Sequence, residues 1–132
     1  MGNCTGKDTG PSDFDEKLHL CGGNVWYISD MESWAEKISE ANKDGNVVLA
    51  NFSADWCAPC KIISSWYADQ SIKYPSLTFL TVDVDELSEL STSMDIRAVP
   101  TFFFLKGGNQ LDKVFGANKS ELEKKLAIFS RT

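Results

Sequence analysis

The chain predicts an α/β domain: a central mixed β-sheet, parallel strands first and an antiparallel hairpin at the C-terminal end, covered by helices on both faces. Three observations carry this. Strand-like and helix-like segments alternate from Asn24 onward in the order βαβαβα, and parallel strands joined by helical crossovers are the usual outcome of that alternation. The run from Asn46 to Phe52 is almost unbroken apolar, the mark of a central strand covered on both faces. After Pro100, two strand-length segments flank Gly107-Gly108-Asn109, a hairpin signal, and one more helical segment follows.

Each element has a local cause. Val25-Trp26-Tyr27-Ile28 is rich in β-formers and predicts the first strand. Ser29-Asp30-Met31-Glu32 has capping-box spacing, and Trp34, Ile38 and Ala41 follow at helical intervals. Gly45 stands where a helix C-terminus favours glycine. The apolar run to Phe52 is the second strand. A helix from Cys57 is expected to reach about Lys73, because Tyr74-Pro75 disfavours its continuation. Leu77 to Val82 forms the third strand, and Leu87, Leu90 and Met94 space a short helix. Thr101 to Leu105 and Leu111 to Phe115 are the hairpin strands. Asn118-Lys119-Ser120-Glu121 repeats the capping spacing before Leu122, Leu126 and Phe129. The regular pattern assigns residues 23–132 to one domain. Residues 1–22, with Gly2, Gly6, Gly10, Pro11, Asp13 and Asp15 and no apolar period, are expected to be a flexible extension.

The 132 residues suit one domain, and 42% apolar content is ordinary for a globular protein. The formal charge of -6, without basic clusters, argues against nucleic acid as a partner. The longest apolar stretches, Val47 to Ala50 and Val99 to Leu105, are strand-sized and too short to span a membrane. The first 20 residues lack the apolar stretch of a secretory signal, so the expected compartment is cytoplasmic and reducing. Asn3-Cys4-Thr5, Asn51-Phe52-Ser53 and Asn118-Lys119-Ser120 match the glycosylation pattern, idle in that compartment.

Four cysteines stand at positions 4, 21, 57 and 60. In a chain of this length without a secretory signal, redox or metal chemistry is a better reading than structural bridges. Cys57 falls at a helix start directly after a parallel strand. Unpaired N–H groups and the macrodipole there favour a thiolate, the form that attacks disulfides. Pro59 fits the first helical turn, where a missing N–H costs nothing. Cys60, three residues on, can close a small ring with Cys57 and displace whatever Cys57 has captured. Cys57 is thus the candidate nucleophile and Cys60 the candidate resolving thiol. The competing reading is half a zinc site, but Cys4 and Cys21 do not make a second pair, and His19, the only histidine, reads as a surface residue. No metal and no cofactor are expected beyond a Cys57–Cys60 redox disulfide.

The segment Ala54-Asp55-Trp56-Cys57-Ala58-Pro59-Cys60-Lys61 resembles the active-site segment of thioredoxins, with Ala58 where the usual form has Gly. Ile96-Arg97-Ala98-Val99-Pro100-Thr101 resembles the family's cis-proline loop, and Gly116-Ala117 its glycine turn. Val82-Asp83-Val84-Asp85-Glu86-Leu87 resembles the third strand and exit of plant h-type thioredoxins. The likeness covers about Gly23 to Phe129. It implies a thioredoxin fold and a protein-disulfide reductase. It implies that Pro100 is cis, packs on the two sulfurs and keeps metal from them. It also implies a flat apolar rim of Trp56, Ala58, Pro59, Val99, Pro100, Gly116 and Ala117, with the Val99 backbone pairing with an extended target. The implied partners are disulfide-containing proteins as targets, with thioredoxin reductase or glutathione and glutaredoxin as donor; a monomer is expected.

Two positions depart from the family pattern. Its buried Asp, six residues before the first cysteine, is thought to take the proton of the resolving thiol; here the residue is Asn51, whose amide does not titrate. The Lys usual in the next strand aligns with Thr81. Loss of both is coherent, since either charge alone would be buried without a partner. At the N-terminus, Met1-Gly2-Asn3-Cys4 resembles the start of extended h-type thioredoxins and suggests acylation, Gly2 with myristate and Cys4 with palmitate, giving peripheral membrane attachment. Gly6 stands where the myristoylation pattern has Ser or Thr. Cys4 could instead serve as an auxiliary thiol recycled by glutathione or glutaredoxin. Cys21 reads as a small apolar residue at the edge of the first strand.

Overall fold

The computed structural model describes residues 23–131. Strands β1 (Val25–Ile28), β2 (Val48–Ser53), β3 (Thr78–Asp83), β4 (Thr101–Lys106) and β5 (Asn109–Phe115) alternate with helices α1 (Met31–Asp44), α2 (Ala58–Lys73), α3 (Ser88–Ser93) and α4 (Lys119–Phe129) in the expected order. They form one five-stranded sheet, ordered β1-β3-β2-β4-β5. β3 runs parallel to both β1 and β2, β4 is antiparallel to β2, and β5 is antiparallel to β4.

Period two along the strands sorts the sheet's side chains into two apolar layers. On one face Val25, Leu49, Phe79, Phe102, Phe104 and Val114 pack with Ile63 and Tyr67 of α2 and Leu122 and Leu126 of α4. On the other, Ile28, Val48, Ala50, Phe52, Leu80, Val82 and Phe103 pack with Ala41 and Ile38 of α1 and Leu90 of α3. This double cover explains why all six residues of β2 are buried and why its sequence reads as a continuous apolar run. The Tyr67 hydroxyl lies 2.9 Å from the Leu49 carbonyl oxygen and 2.7 Å from that of Leu80, pinning α2 across two strands.

Local signals differ in places from their sequence reading. The cap of α1 is Asp30, not Ser29: its carboxylate accepts the Ser33 N–H at 2.7 Å, so Glu32 falls at the second helical position and no capping box forms. At α4, Asn118 does cap, accepting from the Glu121 N–H. Gly45 ends α1 at φ 74°. The hairpin turn is only Gly107 and Gly108, both at positive φ, while Asn109 already pairs with Lys106. Two successive left-handed residues suit a two-residue turn.

Candidate active site

β2 delivers the chain into Ala54-Asp55-Trp56, and the backbone then turns at Cys57 to start α2. Cys57 is the helix N-cap, with φ −93° and ψ 109°, and its sulfur accepts the Cys60 N–H at 3.2 Å. The usual capping oxygen is replaced by sulfur, so one of the orphan N–H groups of the first turn points at the Cys57 sulfur. Pro59 lies in that first turn, where it forfeits no helical bond. Cys57 and Cys60 are disulfide-bonded, their Cα atoms 5.3 Å apart. Cys60 has no exposed surface, whereas Cys57 keeps 4%.

A second loop closes over the sulfurs. The Val99–Pro100 peptide is cis. The Val99 carbonyl oxygen lies 3.6 Å from Cys57 Sγ, and the Val99 side chain packs on the cluster of Ala54, Cys57 and Cys60. The Gly116 N–H donates to the Pro100 carbonyl at 2.8 Å, tying the glycine turn to this loop, with Gly116 at φ 77°. Trp56, Ala58, Pro59 and Ala117 are exposed, Val99 and Gly116 are half-buried, and Pro100 is buried. Trp56 is 68% exposed, yet its indole N–H donates to Asp85 at 2.8 Å, which fixes the ring.

Asn51 of β2 is the register partner of Thr81 of β3, and Thr81 is the partner of Tyr27 of β1. Alternation places all three on the α2 face, with Ser53 and Asp83 one pleat further on. Asn51, Ser53 and Thr81 are buried, and Asn51 Oδ1, Ser53 Oγ and Thr81 Oγ1 have no hydrogen-bond partner among the described residues. The Tyr27 hydroxyl donates to Asp83 Oδ2 at 2.5 Å, and Asp83 Oδ1 accepts the N–H groups of Asp85 and Glu86. Burial first, then the bond to Asp83 and the charges of Asp83, Asp55 and Glu86, pushes the Tyr27 phenol far above its ordinary range. Tyr27 packs against the Cys57–Cys60 cluster.

Sequence reading overlooked Tyr27, Ser53, Asp85 and Phe115. Asp85 was visible only as part of a strand exit. Phe115, 63% exposed, precedes Gly116 on an outward-facing position where an aromatic is itself a signal. Gly2, Cys4, His19 and Cys21 lie outside the described residues. Among the described residues, no group of three or more His, Cys, Asp or Glu could hold a metal.

A disulfide between a helix N-cap and its first turn, facing a cis-proline loop at the end of a central parallel strand, defines a thiol–disulfide oxidoreductase. The Thioredoxin family profile matches residues 25–128. Thioredoxin H4-1 of Oryza sativa subsp. japonica is 59% identical over 130 residues, covering 98% of each chain. Thioredoxin H9 of Arabidopsis thaliana is 53% identical over 126 residues, 96% of this chain and 90% of that one. Among solved structures, a wild-type poplar thioredoxin h superposes with a TM-score of 0.79 at 57% identity, over 80% of this chain and 96% of that one. The chain belongs to the thioredoxin family. It is a dithiol disulfide oxidoreductase that reduces protein disulfides through its own redox-active disulfide, with disulfide-containing targets and thioredoxin reductase as the partners the family implies.

Proposed function

We propose that Cys57 is the attacking sulfur and Cys60 the resolving one. The observation that carries this is the N–H donated by Cys60 to Cys57 Sγ at the start of α2. A charge on Cys57 sulfur is stabilised by that bond and by the helix terminus, while Cys60, fully buried, has no route to a target. In the reduced protein Cys57 forms a mixed disulfide with the target. Cys60 then attacks Cys57 Sγ, the target leaves as a thiolate, and the Cys57–Cys60 disulfide is restored. Trp56, Ala58, Pro59, Val99, Pro100, Gly116 and Ala117 form the docking surface, with Pro100 acting from beneath. The test is Cys60→Ser: it traps a covalent adduct on Cys57, whereas Cys57→Ser abolishes reduction. A mass-spectrometric adduct on Cys4 or Cys21, with Cys57 unmodified, reverses the assignment. A binding module that only uses redox as regulation would still capture targets when both cysteines are serine.

We further propose that residues 1–22 act as an extension carrying either a lipid or an auxiliary thiol. Gly2 and Cys4 support acylation and partial membrane attachment of an otherwise cytoplasmic monomer; no helix among the described residues is long and apolar enough to cross a membrane. Fractionation of cells expressing Gly2→Ala beside the unaltered chain decides: equal distributions remove the lipid reading. Turnover with glutathione and glutaredoxin that is lost in Cys4→Ser supports the thiol reading.

A further inference from the structure

Cys60 must lose a proton before it can attack, and the residue beneath it, Asn51, cannot accept one. The sheet nevertheless carries polar side chains on the face that α2 covers. Tyr67, seven residues further along α2, sits over Leu49 of β2. Seven helical residues rise about 10 Å, or about three strand residues, which returns Cys60 to the level between Asn51 and Ser53. On that same face stand three buried polar atoms without partners among the described residues, Asn51 Oδ1, Ser53 Oγ and Thr81 Oγ1. Their residues are at most 1% exposed, and such atoms are costly unless something bonds them. One acceptor, two hydroxyls able to donate or accept, and a packed apolar surround fit a buried water with two to four partners.

We propose that Asn51, Ser53 and Thr81 hold a water under the sulfurs, and that this water, with Tyr27 and Asp83, forms the proton exit for Cys60. The inference rests on Cys60 being the resolving thiol. In the step, the Cys60 S–H bond breaks and the proton passes to the water. The water releases a proton to the Tyr27 oxygen as the phenol passes its own to Asp83, along the existing hydrogen bond. The Cys60 sulfur pair forms the bond to Cys57 Sγ, and the Cys57–target bond breaks with its electrons on the target sulfur. The target thiolate takes a proton from solvent, and Asp83 returns one to solvent past the exposed Asp85 and Glu86. Register makes the path continuous: Tyr27 neighbours Thr81, Thr81 neighbours Asn51, and Ser53 neighbours Asp83. The titratable groups facing it are Tyr27 from β1, Asp83 from β3 and Tyr67 from α2, with Asp55 and Glu86 acting on Tyr27 at longer range.

Stopped-flow reaction of the reduced full chain, with Cys4 and Cys21 replaced by Ser, with a limiting amount of the aromatic disulfide dithionitrobenzoate separates the steps. The first thionitrobenzoate released reports attack by Cys57; the second, independent of concentration, reports Cys60. Thr81→Val and Ser53→Ala are each expected to slow the second phase about tenfold, since two of the three water partners remain, and to move its pH profile to higher pH. Thr81→Ser, which keeps the hydroxyl, is expected to restore both. Tyr27→Phe keeps the ring and is expected to slow the same phase. A second phase with unchanged rate and pH profile in Thr81→Val and Ser53→Ala overturns the water site. Loss of the first phase in Cys60→Ser, or its survival in Cys57→Ser, overturns instead the assignment of the two sulfurs.

Discussion

Replacing Asn51 by Asp puts a carboxylate at a position 1% exposed, between Thr81 and Phe102 in register and with no cationic side chain on either neighbour. Full burial raises a carboxyl pKa by as much as 3–5 units, and the hydroxyls of Ser53 and Thr81 can donate to it, so about 2 units is a working figure. Each unit is about 1.4 kcal/mol, giving roughly 3 kcal/mol at neutral pH. The folded state then holds its proton more tightly than the unfolded one, so stability falls as pH rises. The loss is absent below about pH 4, develops between about 4 and 6, and is complete above. For a chain of this size that is a drop in Tm of roughly 10 °C at pH 7 and close to none at pH 4. Thermal melts of Asn51→Asp and the unaltered protein across this range are the assay. Thr81→Lys in the same chain should bring the melting profiles together, and the new base should raise turnover with a thioredoxin-reductase donor. Parallel melting curves at every pH and unchanged turnover would refute the placement of Asn51 in a buried site next to Cys60.

Other substitutions probe the frame around the site. Tyr67→Phe removes the hydroxyl that reaches the Leu49 and Leu80 carbonyls, and urea titration should show a loss of about 1–2 kcal/mol. Gly23→Ala sets a Cβ 2.5 Å from the Ala68 carbonyl oxygen and 2.7 Å from Ser71 Oγ, at φ 55°, and disturbs the bond from the Asn24 N–H to Ser71. It should cost more than Gly45→Ala, which meets open space at φ 74° and loses only about 1 kcal/mol to backbone strain. Trp56→Phe gives up the bond to Asp85 but leaves an exposed aromatic. Its stability should stay within about 0.5 kcal/mol, while kcat/KM for a protein disulfide falls; equal kcat/KM would remove Trp56 from the docking surface.

Element order was legible because apolar period, capping residues and punctuation agree along this chain. Gly45 ends α1, Tyr74 follows α2, and Pro100 precedes β4, as their backbone chemistry requires. The choice of Asp30 over Ser29 as cap was not legible, because Ser29 with Glu32 satisfies one spacing rule while the carboxylate one residue later makes the bond. Within the site, Cys57 and Cys60 announce themselves through their spacing and the strand before them. Tyr27 and Asp83 do not. Their hydrogen bond joins residues 56 apart in sequence, and no local pattern reveals that β1 and β3 are neighbours in the sheet. Phe115 was read as a strand residue because alternation alone does not say which outward positions a helix covers.

The neutral floor of the site is best understood as a pair rather than as two positions. Asn51 and Thr81 are direct neighbours on parallel strands in the middle of the sheet, sealed by α2. A charge at either needs its opposite at the other, since the remaining neighbour of Asn51 is Phe102. Asp alone or Lys alone leaves a buried charge without a partner, at about 3–5 kcal/mol. Asn with Thr and Asp with Lys are therefore two separate solutions, with a destabilised chain between them. The neutral solution avoids that cost but supplies no base at the level of Cys60. Tyr27 and Asp83 lie at the edge of the same polar row, where Asp83 adjoins exposed backbone and a proton can leave to solvent. A buried amide and a proton-conducting edge are in this sense one arrangement: the first is tolerable for catalysis only because the second is within reach.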